Sequence, residues 1–287
     1  VSEYLLMHID ALEQTIGNKA LSLFLDYDGT LTPIVSRPEK AFLSYQMKEI
    51  VQRLCNICKV AIVSGREIED IKERVGIQEC FYVGNHGLEV EGNGISFKVK
   101  GAVEARGEIV RFLEEIRKVI RDGNIRGAVV EDKRLTASIH YRLLDKRDIE
   151  AFLSLTRSAL RPYFGKGLFR IIEGKKVVEM RPNVQWDKGK AVEWLMMQEG
   201  FKGSIPVYIG DDETDRDAFR ALKGQGISIA VGPMLRDADY YLRSQGEVKE
   251  LLRWLKSLLS NPLPDRKENP FSSSREYGVN RLLRSKI

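Results

Sequence analysis

The chain has 287 residues, 43% hydrophobic and 30% charged, which suits a globular protein of two domains and excludes a disordered or fibrous one. No apolar run approaches the roughly 18 residues of a membrane-spanning helix. The start, Val1-Ser2-Glu3-Tyr4-Leu5-Leu6, has neither the basic region nor the cleavage site of a secretion signal. A cytoplasmic location with no membrane partner is therefore expected. The formal charge of +5 invites a nucleic-acid reading, but residues 261–287 supply +3 of it. Zinc-finger spacing, an aromatic RNA-binding signature and a basic helical stripe are all missing from the sequence, so no nucleic-acid partner is expected.

In chain order, Leu5, Leu6, Ile9, Leu12 and Ile16 recur at helical spacing and predict an amphipathic helix over the first twenty residues. Leu21–Leu25 then reads as a buried strand that delivers Asp26 and Asp28 onto a turn marked by Gly29. Charge at the end of a buried strand is costly unless it meets a cation or is used in chemistry. Open α/β sheets place their sites at this carboxyl edge. An isolated Asp-Gly pair is equally at home in a turn, so the pair needs support from elsewhere in the chain.

Lys59–Val63 is the next strand candidate, ending in Ser64-Gly65-Arg66 before a helical pattern from Glu67. A hydroxyl and free backbone N–H groups at a helix N-terminus suit an anion; a plain turn with an N-cap is the alternative. Cys55, Cys58 and Cys80 are too few, and odd in number, for a disulfide framework. Cys55-x-x-Cys58 has the letters of a redox or zinc half-site, yet no second pair follows, and buried thiols are expected. After the apolar run Cys80–Val83, His86 stands between Gly84 and Gly87 at the same sheet edge as Asp26. Contact with a sugar hydroxyl and a structural loop role both remain open for it.

The strand pattern then stops until Ile205–Ile209. In the interval, Ile109, Phe112, Leu113, Ile116, Val119 and Ile120 mark a helix, and Gly127–Glu131 with Leu135–Tyr141 a hairpin around Asp132-Lys133. Ile149, Phe152 and Leu153 begin a second helix, and Leu168–Glu173 with Lys176–Met180 a second hairpin. Two αββ units side by side predict an inserted α/β domain at 95–182, with hinges near Gly92-Asn93-Gly94 and Arg181-Pro182-Asn183. Residues 1–94 and 183–260 would form a Rossmann-like core of parallel strands with helices on both faces. Residues 261–287, rich in proline and charge, read as a basic, flexible tail.

Trp186-Asp187-Lys188-Gly189-Lys190 opens a further helix, and Lys188 would balance charge beside a phosphate and carboxylates. Ile205–Gly210 ends in Asp211-Asp212-Glu213-Thr214-Asp215-Arg216-Asp217, five acids in seven positions. Two strand-end carboxylates with water and phosphate oxygens fit the way Mg²⁺ is bound. Asp211, directly after the strand, is the expected ligand. Thr214 with Asp217 reads as a capping box, and whether Asp212 or Asp215 also meets the metal stays open.

In this order, Asp26-x-Asp28-Gly29-Thr30, Ser64, Lys188 and Gly210-Asp211-Asp212 resemble the four motifs of the haloacid dehalogenase superfamily. The longer strings Asp26–Ile34, Ser64-Gly65-Arg66, Asn85-His86-Gly87-Leu88-Glu89 and Gly210–Asp215 are similar to trehalose-6-phosphate phosphatases, over roughly residues 20–258. The resemblance implies a Mg²⁺-dependent phosphatase with a cap over its core, acting on a small sugar phosphate through an aspartyl-phosphate. Asp26 would be the nucleophile, Asp28 the acid and base, and Ser64 and Lys188 the phosphate holders. The metal would meet Asp26, Asp211 and the Asp28 backbone carbonyl.

Substrate contacts are expected from Gly65, Arg66, His86, Gly87, Arg134, Arg142, Lys175, Lys176 and Glu179. Lys176 lies three before Glu179 on one strand and needs a twist or bulge to share its face, whereas the family string Gly-Lys-x-Val-x-Glu puts its lysine four before the glutamate, at Lys175, so the two stay alternatives. Association with a trehalose-phosphate synthase is a further partner the resemblance allows. Phosphatases of sucrose 6-phosphate or glucosyl-phosphoglycerate share the core motifs, and a non-catalytic sugar-phosphate binder is a rival from another class.

Overall fold

The computed structural model describes residues 2–35, 38–164, 167–174, 176–232 and 237–260. The basic tail 261–287 and Lys175 lie outside the described residues. From the N-terminus run β1 (Glu3–Tyr4), α1 (Ile9–Ile16), β2 (Leu21–Asp26), α2 (Tyr45–Cys55), β3 (Lys59–Val63), α3 (Ile68–Val75) and β4 (Phe81–Gly84). There follow β5 (Glu89–Gly92), β6 (Ile95–Lys98), α4 (Lys100–Glu104), α5 (Arg106–Asp122), β7 (Val129–Asp132) and β8 (Ala137–His140). Next come α6 (Ile149–Phe164), β9 (Phe169–Gly174), β10 (Val177–Pro182) and α7 (Lys188–Met196). The chain closes with β11 (Ile205–Gly210), α8 (Arg216–Leu222), β12 (Ile227–Val231), β13 (Tyr240–Leu242) and α9 (Gln245–Ser260). Among the described residues no helix is long and apolar enough to cross a membrane.

The described residues form two compact units, one within 2–63, 72–82 and 188–260, the other within 64–71 and 83–187. The first is built on parallel strands in the order β1-β13-β12-β11-β2-β3. β2 is buried at all six positions, as a strand covered on both faces must be. Helix α2 packs with α9, and α7 with α8. The Ser44 hydroxyl starts α2 by accepting from the Met47 amide at 3.2 Å. The chain leaves β2 on one side toward β3 and later returns on the other side as β11. That reversal is a topological switch point, where crevices form at the carboxyl ends of strands. Asp26 ends β2, and Asp211 directly follows β11.

The first residues depart from the expected single helix. Glu3 and Tyr4 pair in parallel with Tyr240 and Tyr241, and α1 starts only at Ile9. The Arg243 guanidinium lies 4.0 Å from the Tyr4 ring centroid, a cation–π contact that holds this short edge strand.

The second unit holds the β5–β6 hairpin and an antiparallel sheet in the order β7-β8-β10-β9. Gly92-Asn93-Gly94, expected as a hinge, is instead the hairpin turn, with Gly92 opposite Ile95. Asn93 and Gly94 take the positive φ that such a tight turn demands. In the sheet, Ala137, Ile139, Val178 and Met180 join Ile109, Phe112, Leu113 and Ile116 of α5 in one core. The alternate residues Ser138, His140, Glu179 and Arg181 are therefore placed on the other face.

Phe112 is fully buried and meets the Tyr163 ring edge-on, with centroids 5.6 Å apart. Phe112→Ala should destabilise the second unit by about 3–5 kcal/mol. Urea unfolding followed by hydrogen exchange over 105–182 reads this; a loss under about 1 kcal/mol would show that α5 is not anchored there.

Candidate active site

At the carboxyl ends of β2 and β11, one carboxylate oxygen from each of Asp26, Asp211 and Asp215 lies within 4.8 Å of the others. Lys188, 2% exposed at the start of α7, donates to Asp26 Oδ1 at 2.7 Å and to Asp215 Oδ1 at 2.6 Å. The Tyr208 hydroxyl, from β11, also donates to Asp215 Oδ1, at 2.7 Å. The Asp212 amide donates to Asp215 Oδ2 at 2.9 Å, so Asp215 is completely engaged by its own turn, β11 and α7. The capping box is thus Asp212 with Asp215, not Thr214 with Asp217, whose helix begins at Arg216. Thr214 instead donates its hydroxyl to Asp212 at 3.2 Å.

Electrostatics follow from this crowding. Burial raises the Asp26 carboxyl well above its ordinary range and Asp215 adds to it, while Lys188 pulls the other way. Burial, then Asp215 and Asp212, push Asp211 up to about 6. Burial works against the Lys188 ammonium, but Asp215 and Asp26 outweigh it and keep it charged. Lys188 is bonded to two of the three carboxylates, Asp26 and Asp215. Three carboxylates against one ammonium leave room for a divalent cation, and an all-oxygen donor set suits a hard one.

Glycine is required beside this cluster. Gly29 has φ +93°, and a Cβ there would lie 2.1 Å from Asp211 Oδ2. Thr30 donates to Asp211 Oδ1 at 3.4 Å. Asp28, in the same turn, forms a bridge with Thr32 through the backbone, and its carboxylate is not among the three that converge.

The second unit gathers another set. Ser64, which follows Val63 in the chain, accepts the Arg66 amide on its hydroxyl at 3.2 Å, and its own amide donates to Val83 O at 2.8 Å. Glu179 is 6% exposed in β10. Its Oε1 accepts from Lys133 Nζ at 3.2 Å and from Ser138 at 3.4 Å, and its Oε2 accepts from Arg181 Nε at 2.8 Å. Burial alone would raise the Glu179 carboxyl, but Lys133, His86 and Arg181 hold it well below the ordinary range. His86 Nε2 lies 2.7 Å from Arg181 NH2, and its Nδ1 is buried without a partner. Burial, with Arg181 and Lys133 beside it, lowers His86 to about 4 despite the attraction of Glu179. Its neutral ring can accept from Arg181.

Asn85 and His86 both have left-handed backbones, φ 49° and 58°, a conformation that costs on the order of 1 kcal/mol or more per residue. Asn85 is held by Glu89 at 2.7 Å, the Lys133 carbonyl at 2.9 Å and the Thr136 hydroxyl at 2.8 Å. A Cβ on Gly65 would sit 2.3 Å from His86 Cε1, so this glycine lets the imidazole approach.

The other expected substrate contacts are engaged differently. Arg66 pairs with Asp70 at 3.0 Å and Arg134 with Glu67 at 2.6 Å. The Gly87 carbonyl accepts from the Trp186 indole at 2.7 Å. Arg142 is exposed beyond β8. Lys176 lies outside β10, at φ 65°, with its ammonium 5.5 Å from the Tyr141 ring centroid. Sequence reasoning left out Lys133, which it placed in a hairpin turn, and Tyr208, whose apolar strand context hid its hydroxyl. Asp215 was left undecided, although it lies three residues after Asp212, the spacing of a capping pair.

The sequence pattern defining trehalose-phosphatases matches residues 24–240. Trehalose-phosphate phosphatase B of Arabidopsis thaliana is 36% identical over 261 residues, spanning 86% of this chain and 69% of that protein. The chain belongs to the trehalose-phosphatase family. Probable trehalose-phosphate phosphatase 3 of Oryza sativa subsp. japonica is also 36% identical, over 85% of this chain and 71% of that protein. A crystal structure of a trehalose-6-phosphate phosphatase related protein superimposes with TM-score 0.72 at 26% identity, covering 83% of this chain and 98% of that one. Motif order, fold and family agree.

The His86 shift makes a pH prediction. Its pKa is about 4 when folded against an ordinary 6.5, so the unfolded chain binds more protons between these values and stability falls as pH drops from 6.5 to 4. The side chain is 15% exposed, which makes the full shift, on the order of 3 kcal/mol, an upper bound. Urea unfolding at pH 7 and pH 4 should show a smaller loss for His86→Gln than for the parent. Equal losses would mean His86 is protonated in the folded protein.

Proposed function

We propose that the chain hydrolyses trehalose 6-phosphate to trehalose and phosphate through an aspartyl-phosphate at Asp26. The observation carrying this reading is the buried Lys188 bridge between Asp26 and Asp215, beside Asp211. It fixes one oxygen of Asp26 and leaves a charge deficit that a phosphate with a divalent cation would fill.

In the first step Asp26 attacks phosphorus, the bond from phosphorus to the sugar oxygen breaks, and Asp28 gives that oxygen a proton. Asp28 then takes a proton from the water that attacks phosphorus. The Asp26–phosphorus bond breaks and phosphate leaves. The Ser64 hydroxyl already accepts the Arg66 amide, so its own proton is available for a phosphoryl oxygen. Lys188 supplies positive charge beside Asp26. Asp26, Asp211 and the Asp28 backbone carbonyl would hold Mg²⁺, which when bound neutralises charge on the phosphoryl oxygens.

For the sugar, residues 95–182 serve as the selecting cap. Glu179 with Lys133, Arg181 and His86 offers acceptors and donors suited to hydroxyl groups. Arg66, Gly65, Gly87, Arg134, Arg142 and Lys176 are further candidate contacts.

Phosphate release across a panel of sugar phosphates, with and without Mg²⁺, tests the reading. Trehalose 6-phosphate should be the best substrate, chelator should stop release, and Asp26→Asn should abolish it while the fold survives. Preference for sucrose 6-phosphate or glucosyl-phosphoglycerate would move the assignment to another sugar, and binding without turnover would make the chain a sensor.

Glu179→Ala separates cap from core. Loss of a charged hydrogen bond, roughly 1.5–3 kcal/mol, should cut kcat/KM for trehalose 6-phosphate about tenfold to a hundredfold while sparing a small aryl phosphate. Binding energy from the remote sugar is what aligns its phosphate. A uniform loss over both substrates would assign Glu179 a structural role instead.

A further inference from the structure

The three cysteines take no part in the chemistry above, and the close contact among them is not between the Cys55 and Cys58 that the sequence spells together. Cys55, the last residue of α2, has its Sγ 2.9 Å from the Sγ of Cys80, which precedes β4. Both belong to the first unit. The separation is well inside ordinary non-bonded contact between sulfurs, so little movement is needed for a covalent bond. Cys80 is fully buried, whereas Cys55 and Cys58 are partly exposed. An oxidant therefore meets Cys55 first and Cys80 stands directly behind it.

We propose that Cys55 and Cys80 form an oxidation site that takes a hydroperoxide and closes reversibly to an intramolecular disulfide. In the first step the Cys55 thiolate attacks the outer oxygen of the peroxide. The O–O bond breaks, giving Cys55 sulfenic acid and, after proton uptake, water or an alcohol. The Cys80 sulfur then attacks the Cys55 sulfur. The S–O bond breaks, the hydroxyl leaves as water with the Cys80 proton, and one disulfide remains. Two thiols are oxidised and one peroxide is reduced; a dithiol reductant reverses the change.

The two partners are suited to unequal roles. The hydrogen bond to Cys55, together with burial, raises the Cys80 thiol strongly, so Cys80 keeps its proton and donates it toward Cys55. Burial pushes Cys58 up to about 12, which disfavours it as the attacking thiol. The bridge would enclose residues 56–79, a segment containing β3, Ser64 and α3. It would staple the base of the strand that leads to Ser64, so its expected consequence is stability.

The test uses the purified full chain, reduced and then exposed to hydrogen peroxide, trapped with an alkylating agent and mapped by mass spectrometry. A Cys55–Cys80 linked peptide is expected, with Cys58 still alkylated, and a mass lower by two hydrogens. Cys55→Ser, Cys80→Ser and Cys80→Ala should each reduce the linked species to background, and Cys58→Ser should leave it unchanged. The oxidised form should melt roughly 5 °C higher than the reduced one, and dithiothreitol should return it. A Cys55–Cys58 bridge overturns the proposal, as does Cys55 oxidised with Cys80 still alkylatable on unfolding. An unchanged melting midpoint in fully bridged protein would overturn the stapling role.

Discussion

Everything at the mouth of the parallel sheet depends on one buried ammonium. Lys188 cannot be tolerated at 2% exposure unless carboxylates surround it, and Asp26 does so from the end of β2 and Asp215 from the turn after β11. Removing one partner of such a pair typically costs about 3–5 kcal/mol, because the other charge is left buried. The neighbouring backbone is shaped for it. A Cβ at Gly189 would lie 2.4 Å from the Asp217 carbonyl oxygen, so glycine lets α7 press against α8 while Lys188 points to the carboxylates. The strand order is equally necessary, since only at the reversal between β2 and β11 do two strand ends open onto one crevice.

The second unit applies the same physics with a different sheet. Strict alternation along β8 and β10 sends Ala137, Ile139, Val178 and Met180 into the helix-covered core and leaves Ser138 and Glu179 opposite, in register with each other. A carboxylate on that face is buried by its own neighbours, and Lys133 and Arg181 make that burial tolerable. The left-handed residues Asn85 and His86 persist for a related reason. The Asn85 amide is bonded on both its nitrogen and its oxygen, which holds the turn in a conformation that the backbone alone would avoid.

Much of this was legible from residue order. β2, β3, β4 and β11 are continuous apolar runs followed by Asp26, Ser64, His86 and Asp211, and runs of that kind declare both the strand and its edge. The two αββ repeats were legible because α5 and α6 carry apolar residues at clear helical spacing. β1 was hidden, because a two-residue strand has no period, and Leu5, Ile9 and Leu12 dominate the local pattern. β12, Ile227–Val231, is as apolar as β2 but ends in no charged motif, so nothing drew attention to it. Lys133 was read only as part of a hairpin turn. Its contact with Glu179 spans 46 positions, a distance at which no local rule operates. The Cys55–Cys80 contact was hidden for the same reason, since the sequence offers only the local Cys55-x-x-Cys58 spelling, read there as buried thiols.

The two clusters also show why burial alone does not decide the protonation of a carboxylate. Asp26 and Glu179 are almost equally buried, 5% and 6% exposed, and desolvation pushes both upward. Their neighbours decide the outcome. Asp26 shares one ammonium with Asp215 and has Asp211 close by, so the like charges win and it moves up. Glu179 has Lys133 and Arg181 to itself beside a neutral His86, so it moves down. Around Asp26 three carboxylates share one ammonium, a deficit of −2 once all are ionised, which would favour a divalent cation and, with it, the dianion of a phosphate monoester. Around Glu179 one negative charge meets two positive ones, leaving donors in excess and an ionised acceptor at the centre. That second balance suits neutral hydroxyl groups, which can both give and receive hydrogen bonds without bringing charge into a buried site.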